Sequence, residues 1–326
     1  MIILHKKQER YYIGLDIGKT KLAAGIVTAK GKVVASKVVP TNWSNGGMGI
    51  FSQSKTLIHE LLDKTRIKAL GLGIGCFSLV DSNSGVIIAT SVKEWKGANI
   101  VKIFNEEFRM PVKADHDAHA AAMGEYLFGA SKGAGTALYI SISSGVSSAL
   151  ISNGNLIHGS HGLVGQIGHI VVDKNKRTVD DIVSGWGISE TASRIGRKDG
   201  KGDDGYDVAF RFAADRSKTK SVNTEDVFEI ANADPTHPYK QVIDDAIRTA
   251  ALVIALFQNM VDPDVIVLGG SIPYNQRKFV KEIKEEVDRY LSVYMAVMPR
   301  GIKLVVAKLG RNNGFMGAAG LLMQGS

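Results

Sequence analysis

The sequence predicts an α/β fold of two similar domains, each with a mixed sheet flanked by helices, around a central cleft. Three observations favour this fold class. Strands and helices alternate along the chain, a glycine-turned hairpin occurs twice, and 326 residues are enough for two domains. With 44% hydrophobic and 22% charged residues, the composition is that of an ordinary soluble globular protein.

The first hairpin covers residues 12–39 and ends its glycine run in Gly-Lys-Thr. Only three residues separate Gly14 from Gly18, one fewer than in a Walker phosphate loop. Apolar residues alternate over positions 21–26, which predicts a strand rather than the helix that follows a Walker loop. We therefore expect a turn between two strands that holds phosphate in a different way.

The second hairpin covers residues 137–159. It consists of a strand, a small-residue loop at 143–145, another strand and an Asn-Gly turn at 153–154. Each hairpin would bring a turn of backbone N–H groups to the shared cleft, where an anion is held from both sides.

The rest of the chain continues the alternation. Apolar or β-branched runs predict strands, while alanine-rich runs or apolar residues spaced by three and four predict helices. The expected elements are a strand at 69–77, a strand at 111–117, a helix at 118–130, a polar excursion at 190–222, a helix from Pro238, a strand within 262–272, a strand at 302–310 and a closing helix within 311–323.

Charge and composition exclude several classes of protein. The net charge is +8, but the basic residues are dispersed and lack interleaved aromatic residues, so we expect no nucleic-acid partner. The longest apolar run, residues 249–257, is too short to span a membrane. Cys76 is the single cysteine, which rules out an internal disulfide and a cysteine-built zinc site. We expect a cytoplasmic protein.

Several segments together resemble the ROK (repressor, open reading frame, kinase) sugar kinases of the actin-like ATPase superfamily, over nearly the whole chain. The resemblance rests on LDIGKTK (15–21), GLGIGCFSLVDSNSGV (71–86), EWKG (94–97), ADHDAHAAAMGE (114–125), the long run 141–173, DPDVIVLGG (262–270) and GFMGAAGLL (314–322). It implies actin-like, ribonuclease H-like domains: a smaller one at 1–115 plus about 301–326, and a larger one at 116–300.

The resemblance implies an ATP-dependent kinase in which Asp117 matches the catalytic base. A carboxylate at a strand end can accept the proton of a primary sugar hydroxyl. The alternative is a structural role, because Asp117 precedes an alanine-rich helix, where aspartate is favoured as the N-cap.

The nucleotide-binding residues are also carried over from the resemblance. Asp16 matches the carboxylate that reaches Mg²⁺, and the resemblance implies a contact through water. The phosphates would be surrounded by Gly18, Lys19, Thr20, Lys21, Ser144 and Gly145. The base and ribose would be lined by Gly269, Gly270 and Gly314, for which the alternative is an ordinary strand-end or helix-cap role.

The sugar-binding positions show the largest differences in residue type from the family pattern. In this chain they correspond to Phe77, Ser78, His116, Asp117, Gln166, His169 and Asp180. His116 replaces an asparagine, Gln166 a glutamate, and Phe77 and Ser78 a Pro-Gly pair. The transfer machinery is therefore retained, while the identity of the sugar is left open.

The expected metal content also follows from the resemblance to the family. The zinc-binding cysteines of many family members are absent, so we expect no structural zinc. Five of the eight histidines lie within 116–169, in the pairs His116-x-x-His119 and His158-x-x-His161 and at His169. A metal cluster built from them is the alternative to scattered histidines.

The leading hypothesis is a kinase for glucose, N-acetylglucosamine or N-acetylmannosamine that uses ATP and Mg²⁺ and forms a homodimer. The alternatives are a non-catalytic sugar or nucleotide sensor of the same fold, and a kinase for a non-hexose polyol. Family repressors carry an N-terminal DNA-binding domain, whereas about ten residues precede the first strand here, so we expect no DNA-bound repressor.

Overall fold

The structure is a computed structural model that describes residues 9–196, 222–294 and 301–323. The chain forms two compact units. The first comprises Met1–Gly133, Ile151–Gly162 and Lys308–Ser326, and the second comprises Ala134–Leu150 and Leu163–Ala307.

The first unit is built on a mixed sheet. The strands before residue 117 are β1 (Tyr11–Ile17), β2 (Lys21–Thr28), β3 (Val33–Pro40), β4 (Leu72–Cys76), β5 (Leu79–Asp81), β6 (Val86–Ala89) and β7 (Val112–His116). Five of them form a sheet in the order β3-β2-β1-β4-β7, and β5 pairs with β6. The first three are antiparallel, whereas β1, β4 and β7 run parallel. The parallel strand β4 is wholly buried and apolar, as a covered central strand requires.

The helices of the first unit are α1 (Gly46–Thr65), α2 (Ile100–Phe108), α3 (Asp117–Phe128) and, from the end of the chain, α10 (Asn313–Gly320). Helix α10 packs against α3 and against β1 and β4. The first residues of α3 and α10 are thereby held close to the ends of the parallel strands.

A second sheet repeats this arrangement. Its strands are β8 (Thr136–Ile142), β9 (Val146–Ser152), β10 (Asn155–Leu156), β11 (Val265–Gly269) and β12 (Leu304–Val306). Their order is β10-β9-β8-β11-β12, with β8, β11 and β12 parallel. In both sheets the order is third, second, first, fourth and fifth strand, so the predicted duplication of a mixed sheet is confirmed.

The helices of the second unit are α4 (Val179–Val183), α5 (Gly185–Gly196), α6 (Thr224–Ala233), α7 (Tyr239–Val261), α8 (Ser271–Asn275) and α9 (Arg277–Tyr290). The 23-residue α7 buries a face of apolar residues spaced by three and four, as its sequence predicts. Within the described residues, no helix has the length and apolar character needed to cross a bilayer.

The predicted polar excursion at 190–222 is wrong at its start. Residues up to Gly196 belong to α5, because Ile188 and Ala192 are fully buried and the Ser193 hydroxyl accepts a hydrogen bond from the Val222 backbone at 2.8 Å. The rest of that segment, 197–221, lies outside the described residues.

The boundaries of the compact units also differ from those of the predicted domains. The prediction divides the chain at residue 115, whereas the compact units keep α3 with the first sheet. The functional domain boundaries stay a prediction.

Candidate functional site

Three parallel strands of the first sheet end side by side. The register pairs Ile17 of β1 with Cys76 of β4, and Cys76 with His116 of β7. The residues that follow these strand ends are Gly18, Phe77 and Asp117. In open α/β sheets, ligands bind outside the carboxyl ends of the strands. The structure therefore brings together three segments that the sequence singled out separately.

Asp16, near the end of β1, is half-buried beside a second carboxylate. Burial and, after it, the charge of Asp117 raise the pKa of Asp16 to about 7, although Lys21 acts in the opposite direction. Two carboxylates that repel each other in this way form a site that a divalent cation would stabilise.

Gly314, near the start of α10, lies directly against Asp16. A Cβ atom at this position would be only 2.2 Å from Asp16 Oδ2. The absence of a side chain is therefore explained by the packing of the protein itself. Gly314 belongs to the first unit with Asp16, whereas Gly269 and Gly270, with which it was grouped from the sequence, belong to the second.

The turn at residues 18–21 connects β1 to β2. The Gly18 N–H donates a hydrogen bond to the Lys21 carbonyl at 3.0 Å, and the three residues after Gly18 are exposed. The turn is held from outside, because the Thr41 hydroxyl donates to the Gly18 carbonyl and the Trp43 indole donates to the Lys19 carbonyl, both at 2.8 Å. Sequence reasoning missed these two residues, because neither lies in a recognisable motif.

Phe77 packs in an aromatic cluster and is only partly exposed to solvent. Its ring centroid lies 5.2 Å from that of Trp95 and 6.4 Å from that of Trp43. The Lys19 ammonium lies 5.3 Å from the Phe77 ring centroid, within the range of a cation–π interaction. The neighbouring Ser78 is buried, and its hydroxyl donates a hydrogen bond to Thr90 Oγ1 at 2.8 Å.

Asp117 is the first residue of α3, with a side chain that is 41% exposed. The N-cap of this helix is His116, whose Nδ1 accepts a hydrogen bond from the Ala118 N–H at 3.4 Å. The alternative that Asp117 caps the helix is therefore wrong. The same His116 Nδ1 lies 3.2 Å from Asp117 Oδ1. Burial is the main cause that lowers the pKa of His116, so this imidazole is neutral at pH 7.

In the second unit, residues 143–145 form the turn between β8 and β9. The Ser143 N–H donates to the Gly145 carbonyl at 2.9 Å, as Gly18 does to Lys21 in the first turn. Asp180, at the start of α4, lies against this turn, because its Oδ1 accepts the Val146 N–H at 2.5 Å. Ser144 and Gly145 are thus held in place by the carboxylate of Asp180.

Gln166 precedes a short 3₁₀ turn at Ile167–His169, and His169 ends it. The His169 N–H donates to the Gln166 carbonyl at 3.2 Å. Gln166 is half-buried and His169 is exposed. A Cβ atom on the intervening Gly168 would lie 3.1 Å from Asp180 Oδ1, so these sugar-side positions share one neighbourhood.

Gly269 and Gly270 follow the end of β11. A Cβ atom on Gly269 would lie 2.0 Å from Tyr139 Oη, and one on Gly270 would lie 2.3 Å from the Ile142 carbonyl. Glycine is therefore required at both positions by contacts within the second unit. Because β11 and β8 are parallel neighbours, these glycines and the turn at 143–145 lie at the same edge of the sheet.

Comparison with known proteins agrees with this geometry. The model of the ROK family matches residues 12–325. The chain belongs to the ROK family. Its two mixed sheets are those of the two-domain actin-like ATPase fold.

Individual proteins match nearly the whole of this chain. A glucokinase of Halalkalibacterium halodurans is 28% identical over 97% of this chain and 96% of its own length. A xylose repressor of Bacillus spizizenii is 21% identical over 99% of this chain and 80% of its own length. A ROK glucokinase structure from Streptomyces griseus, in complex with glucose and AMPPNP, has a TM-score of 0.76 at 23% identity and covers 97% of this chain and all of its own.

Proposed function

We propose that this protein is an ATP-dependent sugar kinase that transfers the γ-phosphoryl group to a primary hydroxyl of a hexose or N-acetylhexosamine. Its candidate substrates are glucose, N-acetylglucosamine and N-acetylmannosamine. Membership of the ROK family and the similarity to a glucokinase support a carbohydrate kinase. The observation that carries the proposal is the pair Asp16 and Asp117, whose charges interact beside the ends of parallel strands.

Asp117 is the general base in this proposal. Its partly exposed carboxylate accepts the proton of the attacking hydroxyl, which is the main chemical task left to a protein in phosphoryl transfer. Because His116 is neutral and its Nδ1 lies 3.2 Å from Asp117 Oδ1, this nitrogen can exchange its long hydrogen bond from the Ala118 N–H for one from the carboxyl group of Asp117 once that group is protonated. His116 thus stabilises the product of the proton transfer.

Asp16 and the two turns form the phosphate side. A half-buried carboxylate with a raised pKa fits a hydrated divalent cation, which favours its charged form. Mg²⁺, when bound with the nucleotide, would neutralise charge on the phosphates during transfer. The exposed turn residues Lys19, Thr20 and Lys21 are assigned to the phosphates, and so are Ser144 and Gly145.

The remaining assignments define the sugar and adenosine sides. Phe77, His116, Gln166, His169 and Asp180 select the sugar, and Gly269 and Gly270 approach the adenosine. Gln166 carries no charge and offers two amide donors, which suits a neutral sugar. Ser78 is also assigned to the sugar and Gly314 to the nucleotide. Like Gly269, Gly270 and Asp180, these residues also have contacts within their own unit.

The test is ADP release with Mg²⁺-ATP and a panel of glucose, mannose, fructose, glucosamine, N-acetylglucosamine, N-acetylmannosamine and polyols. We expect turnover with one of the hexoses. The Asp117→Asn variant removes the base, so kcat is expected to fall by about 10²–10⁴.

Asp63→Asn provides the matched control, because the same substitution is made at an exposed position on α1. It is expected to keep the wild-type kcat. Circular dichroism of each variant verifies the fold. Equal turnover by wild type and Asp117→Asn would reject Asp117 as the base.

A sugar sensor without kinase activity is the second candidate, favoured by the similarity to a xylose repressor over nearly the whole chain. It is distinguished by calorimetry with the same panel. A sugar that binds without ADP release would support the sensor and reject the kinase.

The homodimer rests on the family resemblance, whereas the location and the absence of a nucleic-acid partner rest on composition and charge. We propose a homodimer in the cytoplasm, without a nucleic-acid partner. Sedimentation equilibrium of the full chain tests the dimer, and a single species with the monomer mass would reject it.

A further inference from the structure

Two histidines converge on one buried carboxylate in the first unit. His119 Nδ1 lies 2.7 Å from Asp115 Oδ1, and His158 Nε2 lies 2.7 Å from Asp115 Oδ2. One ligand atom from each of these three residues lies within 4.8 Å of the others. In the sequence, His119 is paired with His116, and His158 is paired with His161. In the structure, His119 and His158 instead face the same carboxylate.

The three residues come from three different segments of the first unit. Asp115 lies in β7, His119 lies one helical turn further along on α3, and His158 follows β10. Asp115 and His119 are almost completely buried, whereas the His158 side chain is 29% exposed. The cluster therefore has a rigid floor and an opening at His158 through which an ion can enter.

We propose that Asp115, His119 and His158 bind a divalent transition-metal ion, with Zn²⁺ as the ion of best-matched chemistry. Two imidazole nitrogens and one carboxylate oxygen are a common three-ligand set for zinc, with a fourth position left for water. Mg²⁺ and Ca²⁺ prefer oxygen ligands, so two imidazoles argue against either ion.

The arrangement of the cluster suits a cation. Each oxygen of Asp115 faces one imidazole nitrogen, at 2.7 Å in both cases. The His116 backbone N–H also donates to Asp115 Oδ1 at 2.7 Å, which fixes the orientation of the carboxylate.

Metal binding requires only a small adjustment. Ligand atoms about 2.1 Å from a tetrahedral zinc ion are about 3.4 Å apart, compared with the 2.7 Å of the hydrogen bonds. The partly exposed His158 can move away from Asp115, whereas the His119–Asp115 distance has to lengthen by about 0.7 Å within the buried part of the cluster. The proton of each neutral imidazole then resides on the nitrogen that does not face the ion, which is Nε2 of His119 and Nδ1 of His158.

This site differs from the proposed magnesium site at Asp16 and from the cysteine-based zinc site that the sequence lacks. The ion would link the first turn of α3, which begins with Asp117, to the segment after β10. Its proposed role is to position that turn, without contact with the substrate.

The experiment uses the untagged full chain, freed of metal with a chelator and kept without sugar or nucleotide. Zn²⁺ alone is titrated by calorimetry, and Co²⁺ alone is titrated by visible absorption. We expect one ion per chain and a Co²⁺ spectrum typical of mixed nitrogen and oxygen ligands.

The decisive variant is His158→Ala, because this partly exposed side chain can be removed with least damage to the fold. We expect it to weaken Zn²⁺ binding by at least about 10-fold. Asp115→Asn should act in the same direction. The exposed His161→Ala, three residues away, is the matched control and should bind as wild type does.

Absence of a stoichiometric ion in the wild type would overturn the proposal, as would equal affinities of the His158→Ala and His161→Ala variants. Neither result depends on kinase activity. Failure of this proposal and failure of the proposed function are therefore distinguishable.

Discussion

Gly270 illustrates how one position can be fixed by two independent constraints. Its backbone angles, φ 91° and ψ 173°, lie in a region that is essentially restricted to glycine. A Cβ atom would also lie 2.3 Å from the Ile142 carbonyl oxygen. The sequence suggested a glycine that makes room for a nucleotide, but these contacts within the protein are sufficient to require it.

We therefore expect Gly270→Ala to destabilise the protein by about 3 kcal/mol or more, through strain and overlap together. Gly133→Ala is the matched control, because Gly133 has φ 84° but no atom within 4 Å of the added Cβ. In Gly133→Ala, backbone strain alone should lower the free energy of unfolding by about 1–2 kcal/mol. Urea denaturation followed by circular dichroism measures both values. Equal losses in the two variants would show that the contact with Ile142 is unimportant.

Glu125 links two elements that are far apart in the sequence. Its side chain is fully buried at the end of α3, where Oε2 accepts the N–H groups of Ala130 at 2.7 Å and Lys308 at 3.0 Å, and Oε1 accepts that of Leu309 at 2.8 Å. The segment 308–309 leads into α10, which carries Gly314 to Asp16. One carboxylate therefore helps to place part of the candidate site.

Substitution of Glu125 should lower the stability of the protein. Glu125→Gln replaces one acceptor oxygen by a donor and leaves at least one backbone N–H unsatisfied, for an expected loss of about 1–3 kcal/mol. Glu125→Ala removes all three hydrogen bonds and should cost more. Thermal unfolding measures the loss, with Glu229→Gln at an exposed position on α6 as the control. A Glu125→Gln variant as stable as this control would contradict the assigned role.

The stability of the protein as a function of pH follows from its carboxylates taken together. At Asp173, burial raises the pKa, but hydrogen bonds from Arg177 outweigh it and leave the pKa below its usual value. The pKa is also lowered at Asp81, Glu107 and Asp234. Asp16 has the opposite sign, with a pKa raised to about 7.

A carboxyl group with a lowered folded-state pKa contributes stability above its unfolded pKa of about 4 and loses it as the pH falls through the folded value. We therefore expect the melting temperature to fall as the pH decreases from 5 to about 2. Asp16 opposes this trend between about pH 4 and 7, because its contribution is lost as the pH rises.

The Asp173→Asn variant isolates the contribution of Asp173 to the pH dependence of stability. It should be less stable than wild type by about 1 kcal/mol at pH 7, and this difference should disappear near pH 2. Thermal melts across this range check the expectation, with Asp63→Asn as the control. A difference that is constant with pH would indicate a packing effect instead of a titration.

Most of the fold could be predicted because its signals are local. Alternation of apolar residues and the glycine turns define β1, β2, β8 and β9, and the spacing of apolar residues defines α7. The polar excursion was placed wrongly because the buried face of α5 is short and contains serines, whose hydrogen-bond partners are not visible in a sequence. The site assignments came from motifs, which state residue types but not their neighbours.

The sequence determined the strand-turn-strand repeats, the single cysteine and the family, because each depends on residues near one another in the chain or on a pattern of types. Only the tertiary structure decided that Gly18, Phe77 and Asp117 leave one sheet edge together, because strand register is set by pairing between distant segments. It also decided that His116 caps α3, and that His158 meets Asp115 across 43 residues. Such contacts arise from the packing of elements, which no local pattern encodes.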